Sequence, residues 1–165
     1  MVYKPFYEKL YAKIGEFTPL KSDCGRLCGG ACCAVGTDLP GMYLFPGEET
    51  LYMGLSGFAL RDARLPGYGA IQLLDCGGAC DRSLRPLSCR VFPLAPRVRE
   101  DTVTARLDPR GRPVCPLCHQ GRGALSSAFV AAVQAVFAEL LSEPQTADFL
   151  QALSREIDAF EQSPL

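Results

Sequence analysis

Nine cysteines and a single histidine are the residues of this chain best suited to chemistry, and the cysteines are grouped rather than scattered. The first group is Cys24-Gly-Arg-Leu-Cys28-Gly-Gly-Ala-Cys32-Cys33. The second is Cys76-Gly-Gly-Ala-Cys80, followed after eight intervening residues by Cys89. The third is Cys115-Pro-Leu-Cys118, with His119 beside it. Thiolates held a few ångströms apart repel strongly unless a cation neutralises them, so the clustering points to bound metal. An odd number of cysteines fits a closed disulfide framework poorly. The glycines between them have a physical use: they let the backbone turn tightly and aim N–H groups at sulfur. Arg26, Arg82, Arg85 and Arg90 are close enough in sequence to offset the charge of a thiolate-metal centre, although each also fits a solvated surface position.

Spacing bears on the metal. Tetrahedral zinc gathers its sulfurs at about 2.3 Å, and short C-x2-C knuckles suit it. Only Cys115 and Cys118 have that spacing; Cys24/Cys28, Cys28/Cys32 and Cys76/Cys80 are all C-x3-C. The wider spacing more readily reaches different irons of one cluster. The adjacent Cys32 and Cys33 cannot easily aim both sulfurs at one metal, which indicates a polynuclear centre or two neighbouring sites. An iron-sulfur cluster is therefore favoured over zinc, with zinc the alternative.

The run from Cys24 to Cys33, then Cys76, Cys80 and Arg85-Pro86-Leu87-Ser88-Cys89-Arg90-Val91-Phe92-Pro93, then Cys115-Pro116, resembles the YkgJ-type cysteine-cluster family, described as a zinc- or iron-chelating domain. The Arg-Pro-x-x-Cys-Arg-x-Phe-Pro block is the most specific mark, and the resemblance extends over roughly Cys24 to Cys118. It implies that Cys24, Cys28, Cys32, Cys33, Cys76, Cys80, Cys89 and Cys115 are ligands of the metal or cluster. Cys118 is additional to the family pattern and enters as a further metal candidate, either a substitute ligand or a bystander. The first group is also looser than in many members. A similar cluster in the longer flagellin lysine methylases adds a redox or protein-modifying role to the expectations, with a protein as partner or substrate. The competing expectation is non-enzymatic: structural zinc stapling an interaction or metal-handling module. No catalytic residue is assigned.

Elements must position these groups. Phe6, Leu10, Ile14 and Phe17 follow the helical period, predicting a helix over Pro5 to Phe17 closed by Pro19, with Tyr3, Tyr7 and Tyr11 on a neighbouring stripe of its docked face. Cys24 to Asp38 reads as a loop. Phe45-Pro46-Gly47-Glu48-Glu49 reads as a turn into a short helix whose acids complement its start. Strands are expected at Phe58 to Leu65, Ile71 to Leu74, Cys89 to Val98 and Thr102 to Leu107, with a type I turn at Asp108-Pro109-Arg110-Gly111. Leu125, Phe129, Val133, Val136, Phe137 and Leu140 make one helical face. Ser142-Glu143-Pro144-Gln145 fits a capping box that starts a second helix, striped by Phe149, Leu153, Ile157 and Phe160. The expected fold is α+β: one small irregular cysteine-rich domain over residues 1–165, with an N-terminal helix, short strands, a metal-binding region at 24–118, and an antiparallel helical hairpin at 124–161 packed on the metal-bearing half.

Several classes are set aside. A net charge of -1 gives no electrostatic case for nucleic acid or an anionic membrane. The most apolar stretch, Ala124 to Leu141, is interrupted by Ser126, Ser127, Gln134 and Glu139. No unbroken apolar h-region marks a secretory signal, so a reducing cytoplasmic location is expected. Radical-SAM chemistry is disfavoured because C-x3-C is not continued by C-x2-C and a full barrel takes roughly 200 or more residues. A cysteine hydrolase would need a partner base, and the only histidine, His119, follows Cys118 directly. His119 is expected to support a ligand, serve as a spare one, or be exposed.

Overall fold

The computed structural model describes residues 3–33, 41–78 and 81–163. The first helix, α1, runs Lys4–Ile14 with Pro5 in its first turn, where a missing N–H costs nothing. It ends at Gly15, whose φ of 49° lets its N–H return to the Tyr11 carbonyl. The stop therefore comes before Phe17 and is set by glycine, not by Pro19. As a result the buried face is Tyr7, Leu10 and Ile14, while Phe17 is 48 % exposed.

A short helix α2 (Gly25–Cys28) opens the cysteine region. Three antiparallel strands follow, β1 (Met42–Tyr43), β2 (Ala59–Leu65) and β3 (Gly69–Asp75), in the order β1-β3-β2. The last two form a hairpin closed at Leu65 and Gly69. A second sheet is a two-stranded ribbon of β4 (Leu94–Arg99) and β5 (Thr102–Leu107), paired from Leu94/Leu107 to Arg99/Thr102. Before β4 comes a helix, α3 (Leu87–Val91), where a strand from Cys89 was expected. Pro86 cannot donate a ladder hydrogen bond and suits the residue before a helix, and the Arg90 N–H returns to its carbonyl at 3.0 Å. Asp108 caps the turn Pro109–Gly111 through the Arg110 N–H, as the turn residues anticipate.

After the short α4 (Leu117–Gln120), the chain finishes in α5 (Ser127–Ser142) and α6 (Pro144–Gln162), which pack together. The capping box does not form. Glu143 is the residue between the helices and makes no side-chain cap, whereas the Ser142 hydroxyl donates to the Glu139 carbonyl. Phe160 lies outside the buried stripe at 45 % exposure. The two helices cover the β4–β5 ribbon and α1, and Cys115 and Cys118 belong to the same buried core. Phe129, Val133, Val136, Phe137 and Leu140 of α5 are fully buried, and so are Leu150 and Ile157 of α6. Burying each such side chain contributes about 1.5–3 kcal/mol.

A two-stranded ribbon leaves peptide groups unpaired on both edges, and the helices supply them with partners. Gln134 of α5 accepts from the Ala105 N–H at 2.8 Å and donates to the Val103 carbonyl at 2.6 Å. On the other edge the Ser154 hydroxyl of α6 accepts from the Val98 N–H at 2.9 Å. Among the described residues no helix is long and apolar enough to cross a membrane.

Candidate metal centre

The loop from Asp23 to Cys33 is built by backbone turns. Asp23 accepts from the Gly25 N–H at 3.0 Å to start α2, and Gly29 and Gly30 end it in left-handed conformations, φ 63° and 74°. Both glycine N–H groups go to the Gly25 carbonyl, so they do not point at sulfur. The turn brings Cys24, Cys28 and Cys32 round to one side, with the Cys28 thiol donating to the Cys24 carbonyl at 3.9 Å.

That side faces a cavity of about 70 Å³ between this loop, the end of α1, the Arg82–Leu84 turn, α3 and the start of α4. Cys24, Cys28, Cys32, Cys89 and Cys115 all line it. These five come from all three sequence groups. Arg82, Arg85 and Arg90 line it too, and Phe17 and Leu27, each about half exposed, contribute apolar wall. The arginines do structural work as well. Arg90 donates to the Arg85 carbonyl at 2.8 Å and the Ser83 carbonyl at 2.7 Å, with its guanidinium 4.5 Å from the Tyr11 ring centre. Arg82 pairs weakly with Glu16 at 3.8 Å. Arg26 is exposed and does not line the cavity.

The remaining candidates differ in placement. Cys33 contacts Cys32 with the two sulfurs 4.0 Å apart. That shared contact pulls Cys33 down to about 6 and pushes Cys32 up, because one proton serves both sulfurs. Cys76 is half-buried and does not line the cavity, but its loop closes on the first group: a Cβ on Gly78 would lie 3.1 Å from the Cys33 carbonyl oxygen. Cys80 lies outside the described residues. Cys118 is buried with its sulfur beside Gly111, and does not line the cavity. Burial and then the neighbouring Cys115 thiol push Cys118 up to about 12. Burial is also the leading cause that raises Cys24, with Asp23, Cys28 and Cys115 acting in the same direction and Arg85 opposing. His119 is exposed and its Nε2 lies 3.0 Å from the Arg112 carbonyl, so it contributes nothing to the cavity.

The donor chemistry fits a thiophilic metal: sulfurs from separate segments share one cavity beside cationic side chains. The sulfurs are not drawn into a finished coordination sphere. Among the described residues no three Cys, His, Asp or Glu side chains stand close enough together to hold a metal ion.

One residue that supports this wall has no distinctive sequence signal. Glu48, expected only to complement a helix start, is completely buried in the turn Glu48–Leu51. It accepts from the Leu87 N–H at 2.7 Å, the Tyr11 hydroxyl at 2.6 Å and the Phe45 N–H at 3.0 Å. Burial pushes its carboxyl up to about 7, against the hydrogen bonds and Arg90, which hold it down. A Glu-Glu pair after Pro-Gly does not reveal which acid turns inward; only the fold does. No family model, curated protein or solved structure matches this chain.

Proposed function

We propose that this protein binds metal through its clustered cysteine thiolates, as a chelating domain of the YkgJ type, with an iron-sulfur cluster favoured. One observation carries the reading: Cys24, Cys28, Cys32, Cys89 and Cys115, spread over 92 positions of the chain, line one cavity together with three arginines. Five thiols exceed the four that a single tetrahedral zinc takes, and the adjacent Cys33 adds another. That surplus favours a polynuclear centre. Cys24, Cys28, Cys32, Cys89 and Cys115 would hold it, with Cys33, Cys76 and Cys80 completing the set implied by the resemblance. When bound, the cluster would supply one-electron redox chemistry, and its potential would respond to nearby charge and solvent access.

The chain's own residues have definable tasks. Arg82, Arg85 and Arg90 would offset negative charge on the thiolates, which lowers the cost of gathering them. Phe17, Leu27, Phe92 and Leu117 limit water at the wall. Metal binding would also tie down loops that lack regular structure, adding to their folding free energy.

Purification without oxygen, followed by a visible spectrum and analysis for iron, zinc and acid-labile sulfide, tests the proposal. A brown protein with broad visible absorption and matched iron and sulfide is the expected result. A colourless protein with stoichiometric zinc and no sulfide would replace the cluster by a structural-zinc module. A protein with neither metal would sink the reading altogether.

A further inference from the structure

We infer that Cys115 and Cys118 form a redox-active dithiol, in which Cys115 attacks a disulfide presented at the cavity and Cys118 resolves the product. The two are reduced and buried, three residues apart in the turn that opens α4, where the Cys118 N–H donates to the Cys115 carbonyl at 3.1 Å. Turns of that kind hold their end Cα atoms within about 7 Å, the upper limit of what a disulfide spans. Their surroundings are unequal. Cys115 lines the cavity, whereas Cys118 does not and has its sulfur beside Gly111. Both are 8 % exposed, and what separates them is that only Cys115 borders the cavity; in exchange chemistry one sulfur of such a pair meets the oxidant and the second completes the bond.

The same wall selects an oxidant. Arg82, Arg85 and Arg90 line the cavity that Cys115 faces. That cationic lining would attract the carboxylates of a low-molecular-weight disulfide of the glutathione class, which is too large to enter a cavity of about 70 Å³ and would meet Cys115 at its opening. The Cys115 thiolate attacks one sulfur of that disulfide, forming a mixed disulfide and releasing one glutathione thiolate. Cys118, after losing its proton, attacks the Cys115 sulfur and releases the second. Two protein thiols lose two protons and two electrons; one glutathione disulfide becomes two thiols.

A regulatory consequence follows, and it rests on the proposed metal centre. Oxidation removes the Cys115 thiolate from the cavity wall, so disulfide formation and metal occupancy oppose each other. Cys118 thereby has a role although it stands outside the ligand wall.

The full-length protein is incubated in glutathione buffers of increasing oxidised fraction, alkylated without unfolding, and mapped by peptide mass, with metal measured in the same samples. The expected product is an internal disulfide between Cys115 and Cys118 that dithiothreitol reverses, forming with loss of bound metal. In Cys118→Ser the internal bond falls to background and a glutathione adduct accumulates on Cys115. A disulfide from Cys115 to Cys24 or Cys28, or no oxidation at Cys115 even after chelation, would overturn the inference. Formation of the expected disulfide in a protein that never contains metal would leave the dithiol standing and remove only the link to metal occupancy. Bound metal without disulfide formation after chelation would leave the metal centre standing and overturn the dithiol.

Discussion

The carboxylate of Glu48 accepts the backbone N–H of Leu87 at 2.7 Å, a contact between residues 39 apart in sequence. Leu87 opens the helix that carries Cys89 and Arg90, and Pro86 before it offers no side-chain cap. A buried acid from a distant turn therefore satisfies one of the N–H groups that the start of a helix leaves unpaired. Through Tyr11, the same carboxylate links this helix to α1 and to the stacked Arg90 guanidinium. The cysteine wall is thus held by a polar group in the core that does not itself line the cavity.

This arrangement predicts a particular pH dependence. Burial raises Glu48 from 4.5 in the unfolded chain to about 7 in the folded one. Between these values the unfolded chain releases a proton that the folded protein keeps, so stability is greatest below 4.5 and falls as pH rises through 7. The loss from this group is about 3 kcal/mol, from the 1.36 kcal/mol that each unit represents. Glu139, held below its ordinary range chiefly by Lys13, acts in the opposite sense, its contribution being lost as pH falls. Urea unfolding between pH 4.5 and 7.5 should show the decline in the wild type and a flatter curve in Glu48→Gln. Equal slopes in the two proteins would contradict the assignment.

The cavity wall gives a direct test of the proposed ligands. Cys28→Ser and Cys89→Ser should each remove most of the bound metal, because each deletes a sulfur from the shared wall. Full stoichiometry in both variants would refute their ligand role. Cys118→Ser should instead retain full metal under reducing conditions, since Cys118 does not line the cavity. Metal loss there as large as in Cys89→Ser would make Cys118 a ligand.

What the sequence reveals depends on whether the signal is local. The β5 limits, Thr102 to Leu107, follow from alternation and the Asp-Pro-Arg-Gly turn after them, and the structure has the same limits. The period of α5 and the grouping of the cysteines are equally local. The helix at Leu87–Val91 is not, because its start depends on Glu48 from another part of the chain. Leu10 and Ile14 take the buried face of α1 that their period predicts, and only its end departs. Apolar periodicity treats Phe17 as helical, but Gly15 turns the backbone first, and Tyr7 takes the buried position with its hydroxyl donating to the Pro46 carbonyl at 2.7 Å. That five cysteines share a wall could be expected from clustering. That Cys118 does not line it could not, because the position depends on packing beside Gly111, in another segment.

Gly111 tests that packing. Its backbone φ is not left-handed, so strain is not the issue. A Cβ there would lie 2.9 Å from the Cys118 sulfur and 2.9 Å from the Phe92 ring. Overpacking of this kind costs about 1–3 kcal/mol. Gly111→Ala should lose stability in that range by chemical denaturation, and Cys118→Ala in the same chain should recover part of it by vacating the sulfur's space. Additive losses in the double variant would show that the two sites do not share a contact.

Gln134 offers the last test, because a polar residue on an apolar helix usually reads as an exposed interruption. Here its amide oxygen takes the Ala105 N–H and its amide nitrogen serves the Val103 carbonyl, so one side chain completes the edge of β5. Leucine would add apolar area to a helix that is already apolar, and a reading from hydropathy alone expects Gln134→Leu to stabilise. The hydrogen bonds argue the opposite. Removing the amide leaves a donor and an acceptor on the strand without their protein partner, at about 1–3 kcal/mol for each group that water does not reach. The site is only partly buried. Water therefore recovers some of that loss, and the expected net destabilisation is about 2 kcal/mol. Hydrogen exchange should locate the loss, with protection of the Ala105 amide falling more than that of amides in α1. A uniform fall in protection would mean that Gln134 acts on global packing rather than on the ribbon edge.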